Sequence, residues 1–237
     1  MSVLLVTGTG TGVGKTVVTA AVAALALSHG QRVTVLKPAQ TGVPDGAPGD
    51  LAEVARLAPG VEQVELVRYP DPLSPAAAAR ASGLAPLDPA RCVQAVLDAG
   101  SSADLVLVEG AGGLLVRYDG DGFTMAELAR TMRLPVLVVV QAGLGSLNAT
   151  ALTLEVMAAR GLDLSGLVIG AWPNDPDLAA RSNVADLEML GARPLLGALP
   201  DGLADLDPVA FARAARAGLG PSFGGAFDAA AFRAGCR

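Results

Sequence analysis

From Val3 to His29 the chain passes from an apolar stretch, Val3-Leu4-Leu5-Val6, through Gly8-Thr9-Gly10-Thr11-Gly12-Val13-Gly14-Lys15-Thr16 into a segment of helical period. Few local patterns restrict a fold as tightly. The glycines let successive backbone N–H groups turn toward one centre, and the N-terminus of the following helix adds positive potential. The Gly-Lys-Thr ending is chemically specific: Lys15 reaches the β- and γ-phosphates of a nucleoside triphosphate, and the Thr16 hydroxyl suits Mg²⁺. The usual spacing has a glycine at position 9, where this chain has Thr9 flanked by Gly8 and Gly10. The strand–loop–helix context predicts a phosphate loop in spite of that departure.

Short apolar runs alternate with helix-period segments along most of the remaining chain, the pattern of repeated βα units. The spacing predicts strands over 3–7, 32–37, 104–109, 136–141, 167–171 and 194–198, with a further one over 64–69. Helices are predicted over 15–29, 50–58, 75–82, 89–99, 124–132, 147–160, 176–190 and 208–217. Gly and Pro cluster in loops at 42–49 and 119–122. The Gly- and Ala-rich segment 218–237 reads either as one more short helix or as a flexible tail. With no internal repeat and no interdomain linker, the chain reads as one α/β domain over 1–237. It is a doubly wound, mostly parallel sheet with helices on both faces, of the phosphate-loop NTPase kind, with ligands above the carboxyl ends of its strands.

Composition narrows the function. Hydrophobic residues make up 51% of the chain but aromatics only 3%, so the core is aliphatic, as expected of parallel strands covered on both faces. A net charge of −6 argues against a nucleic-acid partner, which calls for a basic face. Apolar runs such as 136–140 are too short to span a bilayer. Met1 leads straight into the first strand, which leaves no room for a signal peptide, and Cys92 and Cys236 form no disulfide framework. The expected compartment is the cytoplasm.

Of the seventeen basic residues only two, Lys15 and Lys37, are lysines. Arg is a wide planar fork and Lys a compact point charge, so two places need the compact ammonium. Lys37 ends a predicted strand beside the phosphate loop, in Lys37-Pro38-Ala39-Gln40-Thr41-Gly42. A second apolar strand, Leu105-Val106-Leu107-Val108, ends in Glu109 and is followed by Gly110-Ala111-Gly112-Gly113. A carboxylate at that place fits the second magnesium-side acid of phosphate-loop enzymes. Asp50 reads as the N-cap of the helix it opens, and from there its carboxylate can also face the metal. His29, the only histidine, reads as a cap or surface residue, which removes the usual parts of zinc and histidine-dependent nucleophilic chemistry. Trp172 reads equally as core or as pocket wall.

These segments closely resemble the dethiobiotin synthetase family. The matching pieces are Thr7 through Thr16, Lys37-Pro38, Thr41-Gly42, Asp50, Val108 through Gly113, Leu144-Gly145-Ser146-Leu147-Asn148, and Leu195 through Pro200. They occur in family order up to about Pro200. The resemblance implies a ligase that closes a cyclic urea from 7,8-diaminononanoate, CO₂ and ATP or another nucleoside triphosphate. It implies Lys37 on the carbamate and Lys15 on the phosphates as catalytic groups, with Thr16, Asp50 and Glu109 on Mg²⁺. The nucleotide would lie along Gly12, Val13, Gly14, Lys15, Thr16, Val17, Asp50, Glu109, Gly110, Ala111 and Gly112. Its base would lie near Gly170, Ala171, Pro200, Asp201 and Gly202. Thr11, Lys37, Thr41, Gly112 and Gly113 would line the diamine site, and a homodimer would complete it with Leu144, Gly145 and Asn148 of the neighbouring subunit. Two departures stand out. Gly10 and Gly12 replace acidic residues common in family loops, and Gly170-Ala171 stands where many members carry Asn-Asp.

Two other readings share this architecture. A nucleotide-switch ATPase of the partition or septum-placement type normally carries a second lysine near the start of the loop, where this chain has Gly8-Thr9-Gly10. A cobyrinic-acid-type amide synthase usually comes with an amidotransferase domain, for which this chain has no space.

Overall fold

The computed structural model describes residues 2–236. The first half comprises β1 (Ser2–Gly8), α1 (Lys15–Ser28), β2 (Val33–Thr41), α2 (Asp50–Leu57), β3 (Glu62–Tyr69), α3 (Pro75–Ser82), α4 (Pro89–Ser102) and β4 (Leu105–Gly113). The second half comprises α5 (Met125–Met132), β5 (Val136–Val140), α6 (Ser146–Ala159), β6 (Leu164–Trp172), α7 (Leu178–Gly191), β7 (Gly197–Pro200), α8 (Pro208–Gly218) and α9 (Ala229–Gly235). The seven strands form one sheet in the order β3-β2-β4-β1-β5-β6-β7. Every strand pair in it is parallel.

The sheet has a buried cluster on each face. On one side Val6, Val35, Leu107, Leu137, Val139 and Val168 meet Val18 through Leu25 of α1 and Phe211 of α8. On the other, Leu5, Leu36, Val106, Val108, Val138 and Ile169 meet α4, α5 and α7 through Val96, Leu128 and Leu187. Alternate residues of one strand face opposite clusters because side chains in a strand alternate with period two. This is why β5, Val136-Leu137-Val138-Val139-Val140, is apolar at every position and buried at every position.

Three expectations need correction, and one open alternative is decided. β2 does not stop at Lys37 but runs through Pro38 to Thr41, and β4 does not stop at Glu109 but runs to Gly113. The last strand lies at Gly197–Pro200 instead of 194–198. Of the two readings for the segment after Gly218, the short helix holds, as α9: Phe227 and Phe232 stack in a tilted pair with centroids 5.1 Å apart, and Phe232 meets Trp172 edge-on at 4.8 Å. Arg233 of α9 also pairs with the buried Glu188 of α7 at 2.5 Å. Trp172 is therefore neither deep core nor cleft wall; it is the anchor of the C-terminal segment.

Candidate active site

The site begins where the sheet opens. β2 and β4 pair in register from Val33↔Leu105 to Leu36↔Val108, and no further. The next residue on β2 is Lys37 and the next on β4 is Glu109. Beyond them β2 stays paired only with β3, from Lys37↔Glu65 to Thr41↔Tyr69. Pro38 has no N–H to give a ladder, so it fits where β2 has lost its partner on one side. β4 meanwhile continues beside β1, with a register shift between Val6↔Glu109 and Gly8↔Gly113.

Into this opening the sequence puts opposite charges. The Lys37 ammonium lies 2.7 Å from Glu109 Oε1 and 2.5 Å from Asp50 Oδ2, and it donates to the Gly110 carbonyl at 3.4 Å. Lys37 is 2% exposed and Glu109 fully buried. Burial alone would lower the Lys37 pKa, but the adjoining Glu109 and Asp50 carboxylates outweigh it and raise the pKa above 10.5. Thr16 donates its hydroxyl to the same Glu109 oxygen at 3.0 Å. Lys15 donates to the Gly10 carbonyl at 2.8 Å, and its pKa is lowered by burial and by the nearby Lys37 charge.

Over this cluster lies a cleft of about 780 Å³. One wall is the phosphate loop and the start of α1: Thr11, Gly12, Gly14, Lys15, Thr16 and Val17. The floor and opposite walls come from Lys37, Thr41, Asp50, Ala111 and Gly112, and from Pro72, Leu73, Ser74 and Pro75. α1 opens on Gly14 with no side-chain cap and no acid in its first turn, so its first N–H groups are free for an anion. α4, α5, α7, α8 and α9 are instead capped by Asp88, Thr124, Asp177, Asp207 and Asp228. Gly14 has φ +92°, and a Cβ on it would lie 2.7 Å from the Gly170 carbonyl oxygen. The loop and β6 therefore touch backbone to backbone.

The expected residues divide by location. The cleft brings together Thr11, Gly12, Gly14, Lys15, Thr16, Val17, Lys37, Thr41, Asp50, Ala111 and Gly112, with Glu109 and Gly110 beneath them. Val13 and Ala171 border a separate recess with Asp175 and Asp177. Pro200, Asp201 and Gly202 lie at the end of β7, tied to β6 by the Asp201 N–H donating to the Trp172 carbonyl at 2.8 Å. Asn148 borders a second groove with Thr9, Thr11, Gly113, Leu115 and Leu152. Leu144 and Gly145 project from the β5–α6 loop, and Leu144 is 91% exposed. Asp50 is not an N-cap; Gly49 holds that position and the Asp50 carboxylate turns to Lys37.

Sequence reasoning missed two supporting residues. Gln40 is 4% exposed and accepts the Asp50 N–H. Tyr118, fully buried, accepts the Ala111 N–H at 2.6 Å and so fixes the glycine-rich end of β4. Burial pushes its phenol up to about 12. Gln40 sits inside Lys37–Gly42 and Tyr118 just after β4, but nothing local marks either as a support, because each bonds to another segment.

The donor set suits a hard divalent cation. Glu109 Oε2 is buried with no hydrogen-bond partner, an orphaned acceptor on the carboxylate whose Oε1 takes the Thr16 hydroxyl and Lys37. Among the described residues no three His, Cys, Asp or Glu side chains cluster as a self-sufficient metal site. Mg²⁺ needs none, since it is typically held by one or two carboxylates with waters and substrate phosphates.

A family described as "AAA domain" matches residues 2–209. The chain is 62% identical over 234 residues to the ATP-dependent dethiobiotin synthetase of a Parafrankia species, covering 98% of both chains. It is 59% identical over 225 residues to that of Saccharopolyspora erythraea, covering 95% of this chain and 98% of the relative. With that of Streptomyces coelicolor it shares 55% over 232 residues, covering 98% of both. Among solved structures it is similar to the septum site-determining protein MinD of Pyrococcus horikoshii, complexed with Mg-ADP. There the TM-score is 0.56 at 17% identity, over 90% of this chain and 92% of that one. A ParA family ATPase from Chlorobium tepidum aligns with a TM-score of 0.52 at 16% identity, over 92% and 90%. Likenesses at such identities establish the fold alone. Among the described residues no helix is long and apolar enough to cross a membrane.

Proposed function

The chain belongs to the dethiobiotin synthetase family, and from that premise we propose how its cleft carries out the ATP-dependent ring closure. The enzyme is a ligase of biotin biosynthesis acting on small molecules. We read the whole chain as one domain working in the cytoplasm. The substrates on this reading are 7,8-diaminononanoate, CO₂ and a nucleoside triphosphate. One amine of the diamine captures CO₂ as a carbamate, giving up a proton. A carbamate oxygen attacks the γ-phosphorus, and the nucleoside diphosphate leaves. The second amine then attacks the carbamoyl carbon of the mixed anhydride, expels phosphate and closes the ureido ring.

Lys37 is the residue on which this depends. A carbamate and a triphosphate are both anions, and a preorganised cation between them offsets their repulsion and the charge that develops on transfer. Lys15 and the open N-terminus of α1 hold the phosphates. Thr16, Asp50 and Glu109 would hold Mg²⁺, which when bound neutralises charge on the phosphate oxygens. Thr11, Thr41, Gly112 and Gly113 would flank the diamine, with Leu144, Gly145 and Asn148 of a second copy closing it in a homodimer. Gly170, Ala171 and Pro200 to Gly202 would border the base.

The observation that carries the reading is the parting of β2 from β4 directly after Leu36↔Val108, which sets Lys37 and Glu109 opposite each other under the phosphate loop. The test is phosphate release from ATP in the presence of 7,8-diaminononanoate, bicarbonate and Mg²⁺. Release that depends on all three, with dethiobiotin appearing in equal amount, is the expected result. Triphosphate hydrolysis indifferent to the diamine would instead favour a nucleotide-switch ATPase.

A further inference from the structure

α2 begins at Asp50 without a capping side chain of its own: Gly49 occupies the N-cap position and makes no such bond. The cap arrives from another element. Gln40, near the end of β2, accepts the Asp50 N–H through Oε1 at 2.8 Å, while its Nε2 donates to the Thr41 carbonyl at 3.2 Å. Both ends of the amide are thus used, and the side chain is held in one orientation among buried surroundings. Gly49 is small for the same reason, since a Cβ there would lie 2.7 Å from Gln40 Oε1.

An Asp in the first helical position usually serves the helix itself, by capping or by offsetting the macrodipole. Here Gln40 takes over the neutral part of that work. The Asp50 carboxylate is left to turn into the cleft, where it reaches Lys37 at 2.5 Å. The loop between Gly42 and Gly49 is braced from the same side by Arg68, which donates to the Ala47 carbonyl at 2.6 Å. β2 and β3 together therefore set where α2 starts.

We propose that Gln40 is a positioning residue for the reaction: it caps α2 from β2 and thereby aims the Asp50 carboxylate at the cation site. The proposal rests on the reading of Asp50 as a metal ligand. Gln40 borders the cleft, but both ends of its amide are spent on the Asp50 N–H and the Thr41 carbonyl, so its effect travels through the Asp50 backbone. Groups that orient a metal ligand usually matter tenfold or more to metal affinity.

The test uses Mn²⁺ in place of Mg²⁺, with the non-hydrolysable β,γ-imido analogue of ATP, and follows free Mn²⁺ by electron paramagnetic resonance. Gln40→Met keeps the length and removes the acceptor; Gln40→Glu keeps the acceptor; Gln40→Asn is a milder variant should Gln40→Met fail to fold by circular dichroism. Expected is about tenfold weaker Mn²⁺ binding in Gln40→Met with metal-free nucleotide affinity unchanged, and Mn²⁺ binding restored toward wild type in Gln40→Glu, which keeps the acceptor but gives up the donor to Thr41. Gln40→Asn, whose Oδ1 stops one methylene short of the Asp50 N–H, is expected to fall between them. Asp50→Asn separates the two layers of the argument. If Asp50→Asn loses Mn²⁺ while Gln40→Met, or Gln40→Asn in its place, stays within about twofold of wild type, the positioning role is refuted and the ligand role of Asp50 stands. If Asp50→Asn also binds Mn²⁺ as wild type does, both fall together.

Discussion

Lys37 has three oxygen neighbours, from Glu109, Asp50 and Gly110, packed round one nitrogen with almost no exposed surface. A guanidinium cannot occupy that point without pushing its planar fork into β4. We therefore expect Lys37→Arg to fold, to bind nucleotide, and to lose roughly three powers of ten in kcat, by analogy with cations placed on a transferring phosphoryl group. Single-turnover phosphate transfer checks this, and a variant keeping most of the wild-type kcat would refute the assignment. Glu109→Gln and Asp50→Asn should each raise the Mg²⁺ concentration for half-maximal rate, Glu109 more so, because its second oxygen is the orphaned acceptor. The two lysines also differ in their response to pH. The raised pKa of Lys37 means that its contribution to stability is complete below pH 10.5 and lost only as pH rises through a still higher value. The lowered pKa of Lys15 makes it the first to lose its charge. Metal-free nucleotide affinity of the unliganded enzyme should accordingly decline on the alkaline side while the Lys37 ion pairs persist. A decline shared equally by Lys15→Met would show that Lys15 is not its cause.

At the level of elements, the contact between the phosphate loop and β6 is the tightest backbone approach to the site. A Cβ on Gly170 would lie 2.0 Å from the Val13 carbonyl, and both partners are backbone. Gly170→Ala must therefore displace the loop at an overpacking cost of about 1–3 kcal/mol, and nucleotide affinity should fall roughly tenfold. The same contact bears on base choice. Gly170 offers only its backbone where a carboxamide is common in the family, and rejecting a wrong base requires buried polar groups that it leaves unpaired. CTP, GTP and UTP should then support turnover within about tenfold of ATP, or roughly 1.4 kcal/mol. A preference for ATP beyond a hundredfold in kcat/KM would overturn this; Asn174, two residues past the end of β6, is the nearest carboxamide downstream, and loss of that preference in Asn174→Ala would trace it to that side chain. The same elements show what was legible in the sequence. Aliphatic runs such as Val136–Val140 announce strands by composition alone. The ends of β2 and β4 do not, because Pro38 and the glycines from Gly110 to Gly113 read as breakers. They extend the strands because each is laddered on one side only beyond Leu36↔Val108, a fact of the sheet and not of either segment. The sequence reads Asp50 as a cap as well as a cleft residue for a similar reason: the acceptor that takes up its N–H, Gln40, lies on another element.

At the scale of the whole molecule, α6 is the exposed element. Of its residues only Ser146, Thr150 and Met157 are buried, although the helix is apolar along most of its length. Leu152 is 60% exposed and Leu144, just before the helix, 91%. Leu152 and Leu115 line the groove that also contains Thr11, Gly113 and Asn148 and borders the phosphate loop. An apolar face of this kind is the signature of an association surface. Self-association through it in a two-fold dimer would bring Leu144 and Asn148 of each chain to the other's cleft, since such an interface pairs the same patch on both subunits. Leu152→Asp should then give a monomer that binds nucleotide but turns over poorly, checked by sedimentation and by the phosphate-release assay. Complementation distinguishes a shared site from a merely stabilising contact. Lys37→Ala and Asn148→Ala chains are each inactive alone on this view. Mixed in equal amounts they form a hybrid in which one site carries both lesions and the other carries neither. Half of all dimers are hybrids with one good site, so activity should recover to about a quarter of wild type. If Asn148 served its own chain's cleft, every site in the mixture would carry a lesion and no activity would return.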